Sequence, residues 1–221
     1  MSVAVFDLDG TLVASLEDLV ASLNAVLESE GCVPVEPSSM RGHVGFGARV
    51  LIQKGLEANG RPWTAPDIEA RLPRFLDHYE RTFTTHTRPF EGALAALDRL
   101  RSNGWRLAIC TNKSTRLTLP LLEELDLRDL FDAVVAGDTF ENAKPHGEPV
   151  LGAIQLAGGT VQGSVMIGDT RTDIDAARAA GIPAIAVTFG YSPVPVAELG
   201  ADGVIGHFDQ LDAALSGLSS P

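Results

Sequence analysis

Val3-Ala4-Val5-Phe6-Asp7-Leu8-Asp9-Gly10-Thr11-Leu12-Val13 is a short apolar run that stops at two carboxylates. Residues 3–6 are long enough for a strand buried on both faces, as in a parallel sheet. Asp7 and Asp9 stand at i and i+2, so on an extended backbone both side chains leave the same face. Gly10 then permits a sharp turn and a close backbone approach. Two like charges this near one another repel unless a cation or a shared proton relieves them. Open α/β sheets place ligands at the carboxyl ends of their strands, which is where this pair falls. A surface turn accounts for Asp9 and Gly10, but it has no use for Asp7.

Beyond this stretch the period of the apolar residues changes. Leu16, Leu19, Val20, Leu23, Val26 and Leu27 recur at helical spacing, and Ser15 with Asp18 resembles a capping box. Gly31 ends that helix. A glycine-dense stretch from Gly42 to Gly47 leads into a second helix containing Val50, Leu51 and Leu56. Thr64 caps a third, with Ile68, Leu72, Phe75, Tyr79 and Phe83 on one stripe, and Pro73 is expected to kink or split it. No strand pattern occurs between residues 15 and 86, so this segment reads as a helical insert. From Arg88 onward strands and helices alternate. Strands are expected at 105–110, 133–136, 165–167, 184–187 and 204–205, and helices around Leu97, at 114–125, at 148–156 and at 172–180. The pattern predicts an α/β fold with a doubly wound, mainly parallel, Rossmann-like sheet. The core would comprise residues 1–13 and 88–221 and the insert residues 14–87, with 216–221 a frayed tail.

Three further strand ends carry polar residues. Cys110-Thr111-Asn112-Lys113 supplies a hydroxyl and an amide that can donate to phosphate oxygens; alone, Thr111 or Ser114 reads as a helix N-cap. In Ala143-Lys144-Pro145-His146, Lys144 can neutralise converging carboxylates; alone, it reads as a solvated lysine. Ile167-Gly168-Asp169-Thr170-Arg171-Thr172-Asp173 holds a second acidic pair at a helix start, where the helix dipole by itself accounts for Asp173.

Taken in order, these stretches resemble the four motifs of the haloacid dehalogenase superfamily in its phosphatase form, beginning with Phe6-Asp7-Leu8-Asp9-Gly10-Thr11-Leu12. The helical insert stands where that superfamily's small α-helical caps arise. Arg41-Gly42-His43-Val44-Gly45-Phe46-Gly47-Ala48-Arg49 and Gly168-Asp169-Thr170-Arg171-Thr172-Asp173-Ile174 resemble the phosphoglycolate phosphatase branch. Two positions depart from that branch: Ala14 replaces a usual aspartate and Gly147 a usual proline.

The resemblance implies a phosphomonoesterase acting on a small anionic ester such as 2-phosphoglycolate. Asp7 is then the nucleophile and Asp9 the general acid and base. Mg²⁺ lies between Asp7, the main-chain carbonyl of Asp9, and Asp169. Thr111, Asn112 and Lys144, with backbone N–H groups around Leu8 to Gly10, hold the phosphoryl oxygens. Asp173 orients a metal water or Lys144. Arg41 or Arg49 is presented by the cap to a substrate carboxylate; otherwise both are surface arginines. A sugar phosphomutase of the beta-phosphoglucomutase kind fits the same core residues. A dehalogenase has no need of Asp9. A phospho-aspartate receiver module would be shorter, without the helical insert and without a nucleophile on its first strand.

Composition narrows the partners. The 221-residue chain carries a net charge of −12 and a pI near 4.7, which disfavours nucleic acid and anionic membranes as partners. With 45% hydrophobic and 21% charged residues it is expected to bury a sizeable core. Cys32 and Cys110 are the two cysteines, and Cys110, closing an apolar run, reads as a buried thiol suited to a reducing cytoplasm. No signal-peptide pattern precedes the first strand. The five histidines lack metal-ligand spacing. A monomer or a homodimer is expected.

Overall fold

The computed structural model describes residues 1–218. It opens with β1 (Val3–Phe6), buried along its whole length, then β2 (Val13–Ala14), α1 (Leu16–Ser29), α2 (Pro37–Met40), α3 (Ala48–Ala58), α4 (Ala65–Thr82) and β3 (Arg88–Pro89). There follow α5 (Ala93–Ser102), β4 (Arg106–Cys110), α6 (Thr115–Glu124), β5 (Ala133–Val135), α7 (Glu148–Leu156), β6 (Val165–Gly168) and α8 (Arg171–Ala180). β7 (Ala184–Val187), β8 (Gly203–Ile205) and α9 (Leu211–Leu218) complete the described chain.

Six strands form one parallel sheet in the order β5-β4-β1-β6-β7-β8. The period of two divides β1 between two cores. Val3 and Val5 join Ala108, Met166 and Ala184 beneath α7 and α8, whereas Ala4 and Phe6 join Leu107, Ile109 and Ile167 beneath α5 and α9. From β1 the chain builds outward through β4 and β5. It then crosses to β6 on the other side, so the order reverses beside β1. Such a reversal opens a crevice at the carboxyl ends of the strands.

Helices α1, α3 and α4 pack on one another between the strands of a small antiparallel ribbon, in which Val13 pairs with Pro89 and Ala14 with Arg88. The sequence pattern did not show this ribbon, because two-residue strands have no readable period. It differs from expectation in other local details too. Asp18 does not form a capping box with Ser15: its buried carboxylate accepts the Thr87 N–H at 2.8 Å, the Thr87 hydroxyl at 2.7 Å and the His86 N–H at 3.0 Å. Pro73 does not split its helix, which runs unbroken from Ala65 to Thr82 behind a Thr64–Asp67 capping box. Ser216 belongs to α9 rather than to a frayed end; residues 219–221 lie outside the described chain. Gly147 sits so close to α8 that an added Cβ would lie 2.7 Å from the Ala179 carbonyl carbon, which explains why no larger residue stands there. Both cysteines are free and buried, and burial pushes the Cys110 thiol up to about 12.

Asp18 therefore ties the first turn of α1 to the segment entering β3. Asp18→Ala leaves the buried Thr87 donors unpaired, at about 1–3 kcal/mol per group. The variant is expected to lose about 3 kcal/mol in urea unfolding. A loss below about 1 kcal/mol would show that water replaces the carboxylate.

Candidate active site

The crevice beside β1 gathers the polar strand ends. Lys144, in the loop between β5 and α7, sends Nζ to 2.7 Å from Asp7 Oδ1, 2.6 Å from Asp173 Oδ1 and 2.6 Å from the Cys110 carbonyl. Asp173 also accepts the Thr170 N–H and hydroxyl at the start of α8, at 3.0 and 2.8 Å, so both its oxygens are engaged. Asp169, at the end of β6, is fully buried. Its Oδ1 takes the Thr11 hydroxyl at 3.1 Å and its Oδ2 the Tyr191 N–H at 2.6 Å.

The electrostatics are those of an excess of negative charge. Burial pushes the Asp7 carboxyl up to about 7 against the pull of Lys144, and Asp173 adds to the rise. Burial holds Asp169 well above the usual carboxylate range, with the charges of Asp173 and Asp7 adding to it. Burial works against the Lys144 ammonium, yet Asp173 and Asp7 outweigh it and raise its pKa above that of an ordinary lysine. Asp7, Asp169 and Asp173 bring ligand oxygens within 4.8 Å of one another, and of the three the buried Lys144 ammonium pairs with only Asp7 and Asp173. Asp173 is neutralised by the Lys144 ammonium, whereas Asp169 accepts the neutral donors of Thr11 and Tyr191, so Asp7 and Asp169 remain as hard oxygen donors with negative charge in excess. That combination suits a small divalent cation such as Mg²⁺.

Glycines make this convergence possible. Gly10 turns with φ +90°, and an added Cβ would stand 2.5 Å from Asp169 Oδ2; one on Gly190 would stand 2.2 Å from Asp169 Cβ. Gly10 uses its own N–H on the Val13 carbonyl at 3.0 Å, so within the expected backbone cradle this amide is already taken.

Three residues that follow β4 divide the work differently from expectation. Thr111 is buried, and its Oγ1 accepts the Lys113 N–H at 3.1 Å, which leaves the hydroxyl proton for a ligand. Asn112 lines the cavity, and its amide donates to the Lys144 carbonyl at 2.9 Å and accepts the Lys144 N–H at 3.0 Å, clamping the lysine's loop. Lys113 reaches Asp9, with Nζ at 3.1 and 2.9 Å from the two oxygens, and also the Tyr79 hydroxyl of α4 at 2.9 Å. Burial lowers the Lys113 pKa, but the charge of Asp9 more than offsets this and raises it.

A cavity of about 460 Å³ lies over these groups, roofed by Leu51, Leu72, Phe75 and Leu76. Arg49 lines it, though its guanidinium is exposed and paired with Glu69 through Nε at 2.6 Å and a second nitrogen at 3.1 Å. Arg41 points elsewhere. It donates to the Phe189 carbonyl at 2.7 Å and the Gly190 carbonyl at 2.6 Å, over the Tyr191 ring. Tyr191 was not foreseen, yet its backbone holds Asp169 and its hydroxyl accepts the Leu16 N–H at 3.1 Å. The one local hint was a glycine directly before it and soon after a strand. Gly45 lies close enough to Thr170 that an added Cβ would sit 3.0 Å from its methyl group. Among the described residues, no helix is long and apolar enough to cross a membrane.

Known proteins resemble this chain in sequence and fold. A phosphoglycolate phosphatase of Agrobacterium fabrum is 45% identical over 96% of this chain and 91% of its own. One of Caulobacter vibrioides is 42% identical over 92% of this chain and 86% of its own. A crystal structure from Haemophilus somnus, described as a predicted phosphoglycolate phosphatase, superposes with a TM-score of 0.89 at 27% identity, covering 96% of this chain and 97% of that one. One from Thermotoga maritima, described as a candidate beta-phosphoglucomutase, gives 0.76 at 25% identity over 98% and 99% of the two chains. The model for haloacid dehalogenase-like hydrolases matches residues 4–187, which include every polar strand end of the crevice; the chain belongs to that family.

Proposed function

We propose that the protein is a Mg²⁺-dependent phosphomonoesterase that works through an aspartyl phosphate and takes a small anionic ester, 2-phosphoglycolate foremost. The observation that supports this most directly is the Asp7–Lys144–Asp173 contact at the reversal of strand order, with Asp9 two residues from the nucleophile. The names of the relatives favour the same substrate.

In this reading Asp7 attacks phosphorus, and the bond from phosphorus to the ester oxygen breaks. Asp9 gives its proton to the departing alkoxide. It then takes one from the water that attacks the aspartyl phosphate, releasing phosphate and restoring Asp7. The Thr111 hydroxyl and the Lys144 ammonium bind the phosphoryl oxygens. Asp173 and Asn112 keep Lys144 in place. Asp7, Asp169 and the Asp9 carbonyl would hold Mg²⁺, which relieves carboxylate repulsion and draws charge from the phosphoryl group. Residues 14–87 serve as a cap that excludes bulk water. Arg41 fastens that cap to the loop carrying Tyr191.

Phosphate release across a panel of small phosphomonoesters, with and without Mg²⁺, tests the reading. Release is expected to need the cation, to be highest on 2-phosphoglycolate, and to vanish in Asp7→Asn. Full turnover in excess chelator, or by the Asn variant, would sink the mechanism. Isomerised sugar phosphate without free phosphate would favour the phosphomutase, the alternative raised by the Thermotoga maritima likeness.

A further inference from the structure

We propose that Lys113, on the core rather than the cap, is the residue that reads the carboxylate of the leaving group. The inference rests on the phosphomonoesterase reading above and adds the determinant of its specificity. A general acid marks the place of the departing oxygen, because it must reach that oxygen to protonate it. The cation nearest Asp9 is therefore the cation nearest the leaving group. In 2-phosphoglycolate the carboxylate is joined to the ester oxygen through a single methylene, so it lies within reach of whatever flanks Asp9.

Among the described residues lining the cavity, the cationic side chains are Arg49, Lys113 and Lys144. Lys144 is committed to the phosphoryl end by Asp7 and Asp173. Arg49 is exposed and already shares both carboxylate oxygens of Glu69. Of the two cations not committed to the phosphoryl end, Lys113 is the buried one, with its side chain 5% exposed and Nζ 2.9 Å from Asp9. Its ammonium has three donors. They reach the two oxygens of Asp9 and the hydroxyl of Tyr79, whose ring also stands 4.5 Å from Nζ. An incoming carboxylate takes over one of the two donors now directed at Asp9, while Tyr79 fixes Nζ from behind. The apolar roof of Leu72, Phe75 and Leu76 lowers the local dielectric and strengthens such a contact. Arg41, tied to carbonyls outside the cavity, has no part in it.

The test compares kcat/KM for 2-phosphoglycolate with that for ethyl phosphate, which keeps the two-carbon ester and lacks the carboxylate. Lys113 also holds Asp9, so Lys113→Met slows both substrates; the ratio of the two isolates reading from positioning. That ratio is expected to fall roughly 10–100-fold in Lys113→Met, the size of one charge-assisted contact. In Tyr79→Phe it is expected to fall about 2–10-fold, a smaller effect because the hydroxyl acts on the substrate carboxylate only through its hold on Nζ. The phenyl ring fills the same space, so this second variant decides the matter if Lys113→Met does not fold. A parental ratio in either folded variant overturns the assignment of Lys113. A parent enzyme that treats the two esters alike overturns the choice of substrate as well. The parent measurement therefore separates the two failures.

Discussion

Asp9→Asn is expected to release nearly one equivalent of nitrophenol per active site from p-nitrophenyl phosphate and then to stall with phosphate on Asp7. Nitrophenolate leaves without a proton, so the first half-reaction survives loss of the acid. Hydrolysis of the aspartyl phosphate still needs a base at position 9, whichever substrate formed it. An alkyl alkoxide is a poor leaving group, so on 2-phosphoglycolate the same variant is expected to show no burst and little phosphoenzyme. General acid or base help contributes roughly 10²–10⁴-fold, so both effects are large. The substitution also deprives the buried Lys113 ammonium of its ion-pair partner, and a melting curve reads that cost separately. Metal affinity serves as a control, since the proposed ligand from this residue is its main-chain carbonyl. With metal binding intact, equal bursts from both substrates, or none from either, would falsify the dual role of Asp9.

Lys144→Met is expected to damage both stability and turnover. It removes the one ammonium beside Asp7 and Asp173, whose side chains are 11% and 2% exposed. Breaking a buried ion pair from one side typically costs about 3–5 kcal/mol, because the abandoned charge stays buried. The shifted Asp7 gives the loss a pH dependence. Its folded-state pKa of about 7 lies above the usual carboxylate value. A group of this kind favours the folded state at low pH and weakens it as pH rises through the folded value. Removing Lys144 takes away the charge that opposes this rise. The variant is therefore expected to be most depleted in stability above pH 7 and to recover partly near pH 5, measured by urea unfolding in chelator. Uniform destabilisation across that range would show that Lys144 acts through packing alone. Turnover is expected to fall at least 10²-fold, as for the loss of one preorganised charge stabiliser.

Residues whose meaning lay in nearby sequence were legible from it. The apolar run from Val3 to Phe6, the i, i+2 carboxylates and the turn at Gly10 needed only local geometry, as did the helical stripe through Phe75 and Tyr79. Lys144 reads as an ordinary lysine by itself, and gained weight only from its order after the third core strand. Asn112 carries the right chemistry for phosphate, yet its amide is taken by a backbone 32 residues away. The partners of Asp18 lie 68 and 69 residues on, and Tyr191 takes a bond from Leu16 at a separation of 175. Contacts of such range leave no periodic trace. Arg41 and Arg49 show the same limit from the other side: a cation beside a glycine-dense loop suggests a ligand, while Glu69 and two carbonyls, met only in the fold, already satisfy it.

The ribbon of β2 and β3, with Asp18 bonded across its base, has a consequence for the history of such a chain. The two ends of the α1–α4 segment lie side by side, paired backbone to backbone in the ribbon and tied again by the Asp18 carboxylate on the Thr87 N–H. An inserted module joined through a single paired seam can lengthen, shrink or be exchanged without disturbing the strands on either side. The stitch is not wholly the property of the sheet, however, since Asp18 travels with the module's first helix. A chimera that imports foreign helices must carry a carboxylate at that position, or begin its graft after the first turn of α1. The border for such a graft thus falls inside the α1–α4 segment and not at its ends.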